Sequence, residues 1–350
     1  MKKYEDCAIM RVCDINERKW GLGMRLLYFT DTHIRGTSPR SRMDDFPQTL
    51  KEKVLEVVKI ANREEVDVIL HGGDFFDRPD VSPSVVGEFA GILRKFSAPI
   101  YTIAGNHDIY GHNPETAHRS MIGLLDAFGT VTMLNQGERR VLTAGGIKVQ
   151  LSGQPFHYDL DRRDVRLDYV VQNESEADFC IHMVHGMVVE RALPDGVHHT
   201  LVDKLWSDDV DLLLTGHYHA GFAVQEKEGK YIVNPGALAR INNHPSEMRR
   251  RPQVALITLG EKIDIQLFPL RSAPEGKDVL DRSYIEEAAW RAEKMSSFVQ
   301  QVQAAGTFHS LDPVEIINEI ALLEGIADEV KYEAMRRIAV IQERIGEGRA

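Results

Sequence analysis

Five apolar runs in this sequence each end in a short polar motif, and this repeated arrangement constrains the fold more than any other feature. The motifs are Asp31-Thr32-His33, Gly73-Asp74, Gly105-Asn106-His107-Asp108, His185-Gly186 and Gly216-His217-Tyr218-His219. Short apolar runs bounded by turn residues are typical of buried strands. Polar side chains that follow several such strands meet at the edge where the carboxyl ends of the strands lie. The sequence therefore predicts a sheet that carries a polar site at one edge.

The order of the predicted elements indicates the class of fold. Strands and helices alternate in the first part of the chain, and strands predominate later. The alternation is carried by a strand at 25–30, a helix at 45–65, a strand at 66–70, a helix that begins at Ser82 and Pro83, and a strand at 99–103. Such an order favours a layered α/β fold, with either one mixed sheet or two sheets packed together.

The chain is predicted to have three segments. Residues 1–23 are polar and weakly periodic, so we expect a loose extension, with Met24 as an alternative start of translation. Residues 24–270 carry all five motifs and form the predicted catalytic domain. Residues 271–350 are predicted to be helical, with apolar residues at steps of three and four from Ile316 to Ile345. These helices pack on each other or on the catalytic domain, or they bind a partner protein or a second copy.

Charge and cysteine content limit the classes of function. The net charge of −11 argues against a protein that coats nucleic acid by charge alone, but it leaves room for a nuclease with a few arginines and two cations. Three cysteines do not suit a disulfide framework. The N-terminus lacks an apolar core, and no run of 18 apolar residues occurs. We therefore expect a cytoplasmic protein that has no membrane partner.

The polar residues of the motifs are suited to bind metal ions. Seven of them offer carboxylate, amide or imidazole ligands: Asp31, His33, Asp74, Asn106, His185, His217 and His219. Mixed nitrogen and oxygen ligands without thiolate suit Mn²⁺, Fe or Zn²⁺. Two such cations lower the pKa of a shared water and clamp a phosphate, so the set predicts metal-assisted hydrolysis of a phosphoester. The other histidines, His112 among them, are interpreted as structural or incidental, although Tyr110 and His157 are candidates to line the pocket.

Taken together, the five motifs resemble the signature blocks of the calcineurin-like metallophosphoesterases over residues 24–270. The resemblance implies two mixed β-sheets packed as a sandwich and flanked by helices, with two metals at one edge. It assigns one metal to Asp31, His33, Asp74 and His219, and the other to Asp74, Asn106, His185 and His217. It also implies that His107 contacts the scissile phosphate and protonates or stabilises the leaving oxygen, while Asp108 orients His107.

Three features resemble the nuclease subunit of the bacterial SbcCD complex and its relatives. These are Gly-Asp-Phe-Phe-Asp-Arg-Pro at 73–79, Asp rather than Glu at 108, and the turn at 234–240 that ends in Arg240. This resemblance implies an SbcD-like, Mn²⁺-preferring DNA exo/endonuclease of repair or recombination. Its partners would be DNA and either an SbcC-like coiled-coil ABC ATPase or a second copy, bound through residues 281–345. One alternative is a phosphodiesterase or phosphatase for nucleotides or other small phosphoesters, and another is a metal-stabilised scaffold.

Arginines near the motifs are the candidate substrate contacts. Guanidinium groups bind phosphate through paired hydrogen bonds, and the candidates are Arg35, Arg40, Arg42, Arg78 and Arg240. The alternative for each is an arginine on the surface or in a salt bridge within the fold.

Overall fold

The structure, a computed structural model, describes residues 23–283, 320–322 and 324–347, the single residues 294 and 317, and the backbone of 12–14; side chains after 337 are not described. The chain divides into two compact units, Met1–Arg282 and Ser283–Ala350. Among the described residues, no helix combines the length and the apolar character that crossing a bilayer requires.

Six strands form the first sheet of unit 1, in the order β15-β14-β2-β3-β4-β5. Their bounds are β2 Met24–Phe29, β3 Val68–His71, β4 Ile100–Thr102, β5 Thr132–Met133, β14 Gln253–Leu259 and β15 Ile263–Pro269. Strands β2 to β5 are parallel neighbours, whereas β14 runs antiparallel to both β2 and β15. The three motifs that follow β2, β3 and β4 therefore emerge at one edge of this sheet.

Seven strands form the second sheet, in the order β1-β6-β7-β8-β11-β13-β12. Their bounds are β1 Val12–Asp14, β6 Arg139–Ala144, β7 Ile147–Gln154, β8 Phe179–Val184, β11 Leu212–Thr215, β12 Gln225–Lys227 and β13 Lys230–Val233. Parallel pairs join β7, β8, β11 and β13, and antiparallel pairs join β6 to β7 and β12 to β13. Both sheets are mixed. A separate short pair consists of β9 Val188–Val189 and β10 Thr200–Leu201.

The sheets pack face to face, and helices cover the first sheet. Alternation along β2 shows how: Leu26 and Tyr28 point into the core between the sheets, whereas Leu27 and Phe29 point into the core beneath the helices. Those helices are α1 Phe46–Arg63, α2 Pro83–Leu93 and α3 Met121–Ala127, and short helices elsewhere are α4 Arg166–Tyr169, α5 Pro245–Arg249 and α6 Gly276–Val279. The predicted sandwich of two mixed sheets flanked by helices is confirmed.

Local sequence accounts for the longest of these helices. Asp45 caps α1 by accepting a hydrogen bond from the Gln48 amide at 3.1 Å, and Pro47 lies in the first turn. The helix buries a stripe of apolar side chains at helical spacing, namely Leu50, Val54, Val57 and Ala61. The observed bounds lie within two residues of the prediction at either end.

Residues on both sides of 24–270 make contacts within the first unit. Val12–Asp14 pairs with Val141–Thr143 of β6, so these three residues belong to the sheet rather than to a loose extension. The remainder of 1–22 lies outside the described residues. At the other end, unit 1 continues past Leu270 to Arg282, because Ala273, Val279 and Leu280 are buried within it.

In the second unit, α7 spans Asp328–Glu347. Residues 320–322 are also helical, but a turn at Glu324 and Gly325 separates them from α7, and Gly325 has φ of 63°. The segment predicted to be helical is therefore interrupted at Gly325, since a left-handed glycine commonly ends a helix. Residues 284–319 of the segment predicted to be helical lie outside the described residues, except for Lys294 and Ile317.

Candidate metal centre

Ligands from both sheets meet where the strands end. Asp31 and His33 follow β2, and Asp74 follows β3. Backbone hydrogen bonds of 3.0 Å run from the Asp31 amide to the Gly73 carbonyl and from the His33 amide to the Asp74 carbonyl. Asp31, His33, Asp74 and His217 all have positive φ, between 43° and 68°. This conformation costs on the order of 1–3 kcal/mol for each non-glycine residue, so the surrounding fold holds these four side chains in strained but fixed positions.

The first ligand group consists of Asp31, His33, Asp74 and His219, whose ligand atoms lie within 4.8 Å of one another. The Nε2 atoms of His33 and His219 are 3.0 Å apart. His33 Nε2 is 3.6 Å from Asp74 Oδ2, and His219 Nε2 is 3.5 Å from Asp31 Oδ1. All four side chains thus direct a ligand atom at one point.

The second ligand group consists of Asp74, His185 and His217. His185 Nε2 lies 3.3 Å from Asp74 Oδ2 and also 3.3 Å from Asn106 Oδ1, which adds a neutral oxygen. His185 Nδ1 donates to the Gly72 carbonyl at 2.7 Å, so the other nitrogen faces the group. Because Asp74 belongs to both groups, the structure brings together all seven predicted ligands around one shared carboxylate.

A glycine makes this close approach possible. A Cβ atom at Gly105 would overlap the Oδ1 atom and the backbone nitrogen of Asp74. Any larger residue would therefore displace either the Asn106–Asp108 turn or the shared carboxylate. The Gly before Asn106 is consequently a requirement of packing as well as a feature of the motif.

The carboxylates fit divalent cations. Asp31 Oδ1 and Asp74 Oδ2 are buried, and no donor among the described residues meets hydrogen-bond geometry with either atom. Burial raises the pKa of both carboxyls, but the neighbouring His219 for Asp31 and His185 for Asp74 outweigh it and hold both values below the usual range. Both groups are therefore ionised at neutral pH. Buried anionic oxygens without donors are expensive unless a cation compensates them.

The imidazoles respond to the same environment. Burial lowers the pKa of His33 to about 3 and that of His217 to about 4, which favours the neutral, ligating form. Burial would also lower the pKa of His185, but Asp74 reverses the effect and raises it to about 9. The charge of Asp74 thus favours a positive charge at the position of His185, which a bound cation would also supply.

His107 lies beside the ligands but differs from them in its contacts. Its Nδ1 is 2.8 Å from the Asp77 carbonyl, an arrangement in which the nitrogen donates. Its backbone amide donates to Asp74 Oδ1 at 2.8 Å, and its ring centroid is 4.7 Å from that of His33. With Nδ1 bonded to a carbonyl, Nε2 is the nitrogen that can exchange a proton with a substrate.

Asp108, which was predicted to orient His107, makes its hydrogen bonds to other groups. Its carboxylate accepts hydrogen bonds from the backbone amides of Phe75, Phe76 and Gly105 at 2.8–3.0 Å. Burial and the charge of Asp74 raise its pKa to about 7 despite these bonds. Asp108 therefore ties the loop after β3 to the loop after β4, and the carbonyl of Asp77 orients the imidazole instead.

Two of the five candidate arginines lie inside the fold. Arg42 and Arg240 are buried and bond to groups of the fold, Arg42 to Asp44 and the Arg240 carbonyl, and Arg240 to the carbonyls of Arg250 and Pro274. These two guanidinium groups are buried in the fold, where they donate hydrogen bonds to backbone carbonyls.

The other three arginines remain candidates. Arg35 pairs with Asp77 at 3.0 Å, and with the exposed Arg78 it lines a cleft of about 510 Å³ next to the centre. Arg40 is exposed. Of the two candidate lining residues, Tyr110 is exposed, whereas His157 Nε2 bonds to Asp168 at 2.9 Å.

Sequence reasoning missed two residues of the site. Asp77 contacts His107 and Arg35, and its presence in the stretch at 73–79 was the available signal. Phe156 follows β7, with its ring centroid 5.6 Å from that of His217 and 6.4 Å from that of His185. Phe156 has an apolar side chain, so its residue type does not distinguish it from a core residue, although the neighbouring His157 was a candidate.

Comparisons with known proteins agree with this geometry. A family model described as calcineurin-like phosphoesterase matches residues 24–221. The double-strand break repair protein MRE11 of Coprinopsis cinerea is 23% identical over 360 residues, which cover 80% of this chain and 48% of the relative. The DNA double-strand break repair protein Mre11 of Archaeoglobus fulgidus is 22% identical over 351 residues, covering 91% of this chain and 75% of the relative.

Among solved structures, the calcineurin-like phosphoesterase YfkN from Bacillus subtilis aligns with a TM-score of 0.42 at 14% identity, covering 71% of this chain and 91% of that one. The chain spans about half the length of the Coprinopsis relative.

Proposed function

Because the chain belongs to the calcineurin-like phosphoesterase family, whose members are metal-dependent hydrolases of phosphoesters, we propose that it cleaves the phosphodiester bonds of DNA as an SbcD-like exo/endonuclease subunit. The observation that supports this most is the single carboxylate, Asp74, which is shared by the two ligand groups, with His107 beside them and a member of neither group. The curated relatives named as double-strand break repair proteins support DNA as the substrate and repair or recombination as the process.

The ligand sets suit two cations. Asp31, His33, Asp74 and His219 would hold one, and Asp74, Asn106, His185 and His217 the other. When bound, such a pair lowers the pKa of water and neutralises phosphate charge. We propose Mn²⁺ as the native metal, with Fe and Zn²⁺ as alternatives, since ligands of nitrogen and oxygen without sulfur suit all three.

The side chains around the centre supply positioning and proton transfer. His107, held by the Asp77 carbonyl, presents Nε2 to the leaving oxygen and donates a proton to it. Arg35 and Arg78 line the adjacent cleft and bind the anionic backbone of the strand. Asp108 accepts hydrogen bonds from backbone amides of the loops after β3 and β4, and so holds His107 and Asp74 in fixed relative positions.

Partners are part of the same proposal. Within the described part of α7, Val330 and Tyr332 are exposed, and an SbcC-like coiled-coil ATPase or a second copy would bind through residues 281–345. A cytoplasmic location is likewise a prediction from the sequence.

Hydrolysis of nucleotides or other small phosphoesters is the second candidate. It is favoured by the net charge of −11 and by the burial of Arg42 and Arg240, which leaves fewer cations for a polyanion. A DNA-binding surface normally carries several phosphate-neutralising side chains, and affinity then falls steeply with salt.

One experiment separates these candidates. End-labelled single- and double-stranded DNA and a small diester, methyl p-nitrophenyl phosphate, are incubated with the protein and Mn²⁺, Mg²⁺ or Zn²⁺. We expect cleavage of DNA with Mn²⁺. Turnover of the diester without cleavage of either DNA, even with a partner ATPase, supports the small-substrate function. If neither DNA nor the diester is hydrolysed with any metal, the remaining hypothesis is that the protein is a metal-stabilised scaffold.

A further inference from the structure

Aromatic side chains border the metal centre on the side of the second ligand group. Phe156 lies on the loop after β7 and is partly exposed. Its ring packs against a candidate ligand, with the His217 ring tilted by 52° at 5.6 Å. His112 contacts the same ring edge-on, at 5.4 Å and 74°, and is itself exposed. Phe156 thus contacts two candidate ligands and an exposed histidine.

The backbone holds His112 in this place at a cost. Gly111 and His112 both have φ of 58°, in a turn closed by a 3.1 Å hydrogen bond from the Asn113 amide to the Tyr110 carbonyl. Glycine adopts this conformation freely, but for histidine it costs on the order of 1–3 kcal/mol. Strain of this kind concentrates at functional sites, where the surrounding structure over-determines a position. Here it places an exposed ring against Phe156.

We propose that Phe156 and His112 form a stacking site for the nucleobase of a nucleotide adjacent to the scissile phosphate. The inference rests on the proposed nucleic-acid function, and it adds that the base is bound by ring stacking rather than by charge. Every base has a π face, so stacking on aromatic side chains tolerates any sequence and contributes about 1–3 kcal/mol per base. The ring contacts of Phe156 with His217 and His185 put this platform within the reach of one nucleotide.

Stacking also explains how a protein with a negative net charge could bind a nucleic acid. With a net charge of −11, the chain gains little long-range attraction to a phosphate backbone. Contacts between apolar ring faces are insensitive to salt, unlike contacts with phosphates. An unpaired base offers its face, whereas a base within a duplex is already stacked on its neighbours. The site therefore favours single-stranded or frayed ends.

Two chromogenic esters test the proposal. The p-nitrophenyl ester of thymidine 5′-monophosphate carries a base, and methyl p-nitrophenyl phosphate carries none. We expect the ratio of their kcat/KM values to favour the nucleotide in the wild-type protein by about 5- to 150-fold, which corresponds to 1–3 kcal/mol. His112→Ala and Phe156→Leu should each reduce this ratio, mainly through KM, and Phe156→Tyr, which keeps the ring, should largely retain it. His118→Ala, an exposed histidine of the same segment, is the matched control.

Metal content and fluorescence separate stacking from mere support of the ligands. If Phe156 only held the His217 ring in position, Phe156→Leu would lower the Mn²⁺ content and would reduce the turnover of both esters equally. That result would overturn the inference. A second readout does not depend on turnover. The fluorescence of 2-aminopurine in a single DNA strand should be quenched when the strand binds the wild-type protein, and it should not be quenched when the strand binds His112→Ala. No quenching by the wild-type protein also overturns it.

Failure of the proposed function has a different signature. If the nucleotide ester is preferred and the ratio falls in the variants, but no DNA is cleaved, stacking stands and the nuclease proposal fails. If DNA is cleaved, yet replacing the flanking base by an abasic tetrahydrofuran leaves KM unchanged at every position, the stacking inference alone fails.

Discussion

The side chains at the centre are of two kinds: some have an atom available to a substrate, and others form hydrogen bonds that hold the loops in place. His107 belongs to the first kind, because its Nδ1 is bonded to a carbonyl and its Nε2 is available. Asp108 belongs to the second kind, because its carboxylate is occupied by three backbone amides. Adjacent residues of one motif therefore have separate roles, and their substitutions should have different effects.

Removing the imidazole should lower catalysis without removing metal. We expect His107→Ala to reduce kcat for a phosphodiester by about 10²- to 10⁴-fold, the usual contribution of a positioned proton donor. The Mn²⁺ content, measured by plasma mass spectrometry, should match that of the wild-type protein. Near-normal kcat, or loss of metal together with kcat, would contradict the assigned role; His118→Ala is the control.

Removing the carboxylate next to it should instead destabilise the fold. Asp108→Ala leaves three buried amides without their acceptor, and we expect a loss of about 2–4 kcal/mol in the free energy of unfolding. Denaturant unfolding of the chelated protein measures this directly. If the stability of the variant is unchanged and only kcat falls, then Asp108 acts on His107 after all.

At the scale of elements, the segment that connects β13 to α5 shows how buried cations support the centre. The amides of Leu238 and Ala239 donate to the carbonyls of Thr30 and Asp31, so this segment lies directly behind the first ligand. The guanidinium of Arg250 donates to the carbonyls of Ala237 and Ala239, at 2.5 and 2.6 Å, and the buried Lys53 donates to that of Leu238 at 2.5 Å. Burial lowers the pKa of Lys53 well below its usual value.

This support should be measurable at Arg250. We expect Arg250→Met to lower the free energy of unfolding by about 3 kcal/mol, because two carbonyls lose charged donors and Glu247 loses its partner. Mn²⁺ affinity, measured by calorimetry, should fall as well, since the segment behind Asp31 loosens. Arg249→Met, an exposed neighbour, is the matched control. Equal effects of the two substitutions would rule out this account.

At the scale of the whole molecule, the centre joins the two sheets. Asp31, His33 and Asp74 come from the first sheet, and His185, His217 and His219 from the second. Cations held by both sets would cross-link the sandwich at its edge and remove the uncompensated charge of Asp31 and Asp74. Metal binding is therefore coupled to the stability of the first unit.

Chelation should consequently lower the melting temperature. At Mn²⁺ concentrations about 100 times the dissociation constant, binding stabilises a fold by about 2.7 kcal/mol, which is roughly 5–10 °C in a domain of this size. Differential scanning fluorimetry with EDTA and with excess Mn²⁺ measures the difference. Asp74→Asn, which alters the shared ligand, should show little response to either addition, and a full response in that variant would argue against a shared carboxylate.

The bound of the first unit gives a second prediction at this scale. A chain that ends after Arg282 should fold and retain hydrolysis of a small diester, because all the candidate ligands lie between Asp31 and His219. A chain that ends after Leu270 loses the burial of Ala273, Val279 and Leu280, and we expect it to be less stable by about 3–5 kcal/mol. Equal unfolding midpoints for the two chains would contradict the later bound.

Local signals in the sequence predicted the layered α/β class, most strand positions and the set of seven candidate ligands, whereas the two mixed sheets were implied only by the resemblance to a known family. The first three of these depend on local signals: an apolar run, a turn residue, and a polar group directly after the run. The prediction of α1 succeeded for the same reason, since its cap, its proline and its apolar stripe are all local.

Only the tertiary structure decided which partners those side chains meet. Asp108 and Arg240 carry chemistry that suits a site, yet the first is occupied by amides from two loops and the second by carbonyls distant in sequence. Phe156 carries no polar signal and lies beside two candidate ligands. Hydrogen-bond partners from other strands and loops are a property of how the sheets pack, and residue type and spacing do not specify them.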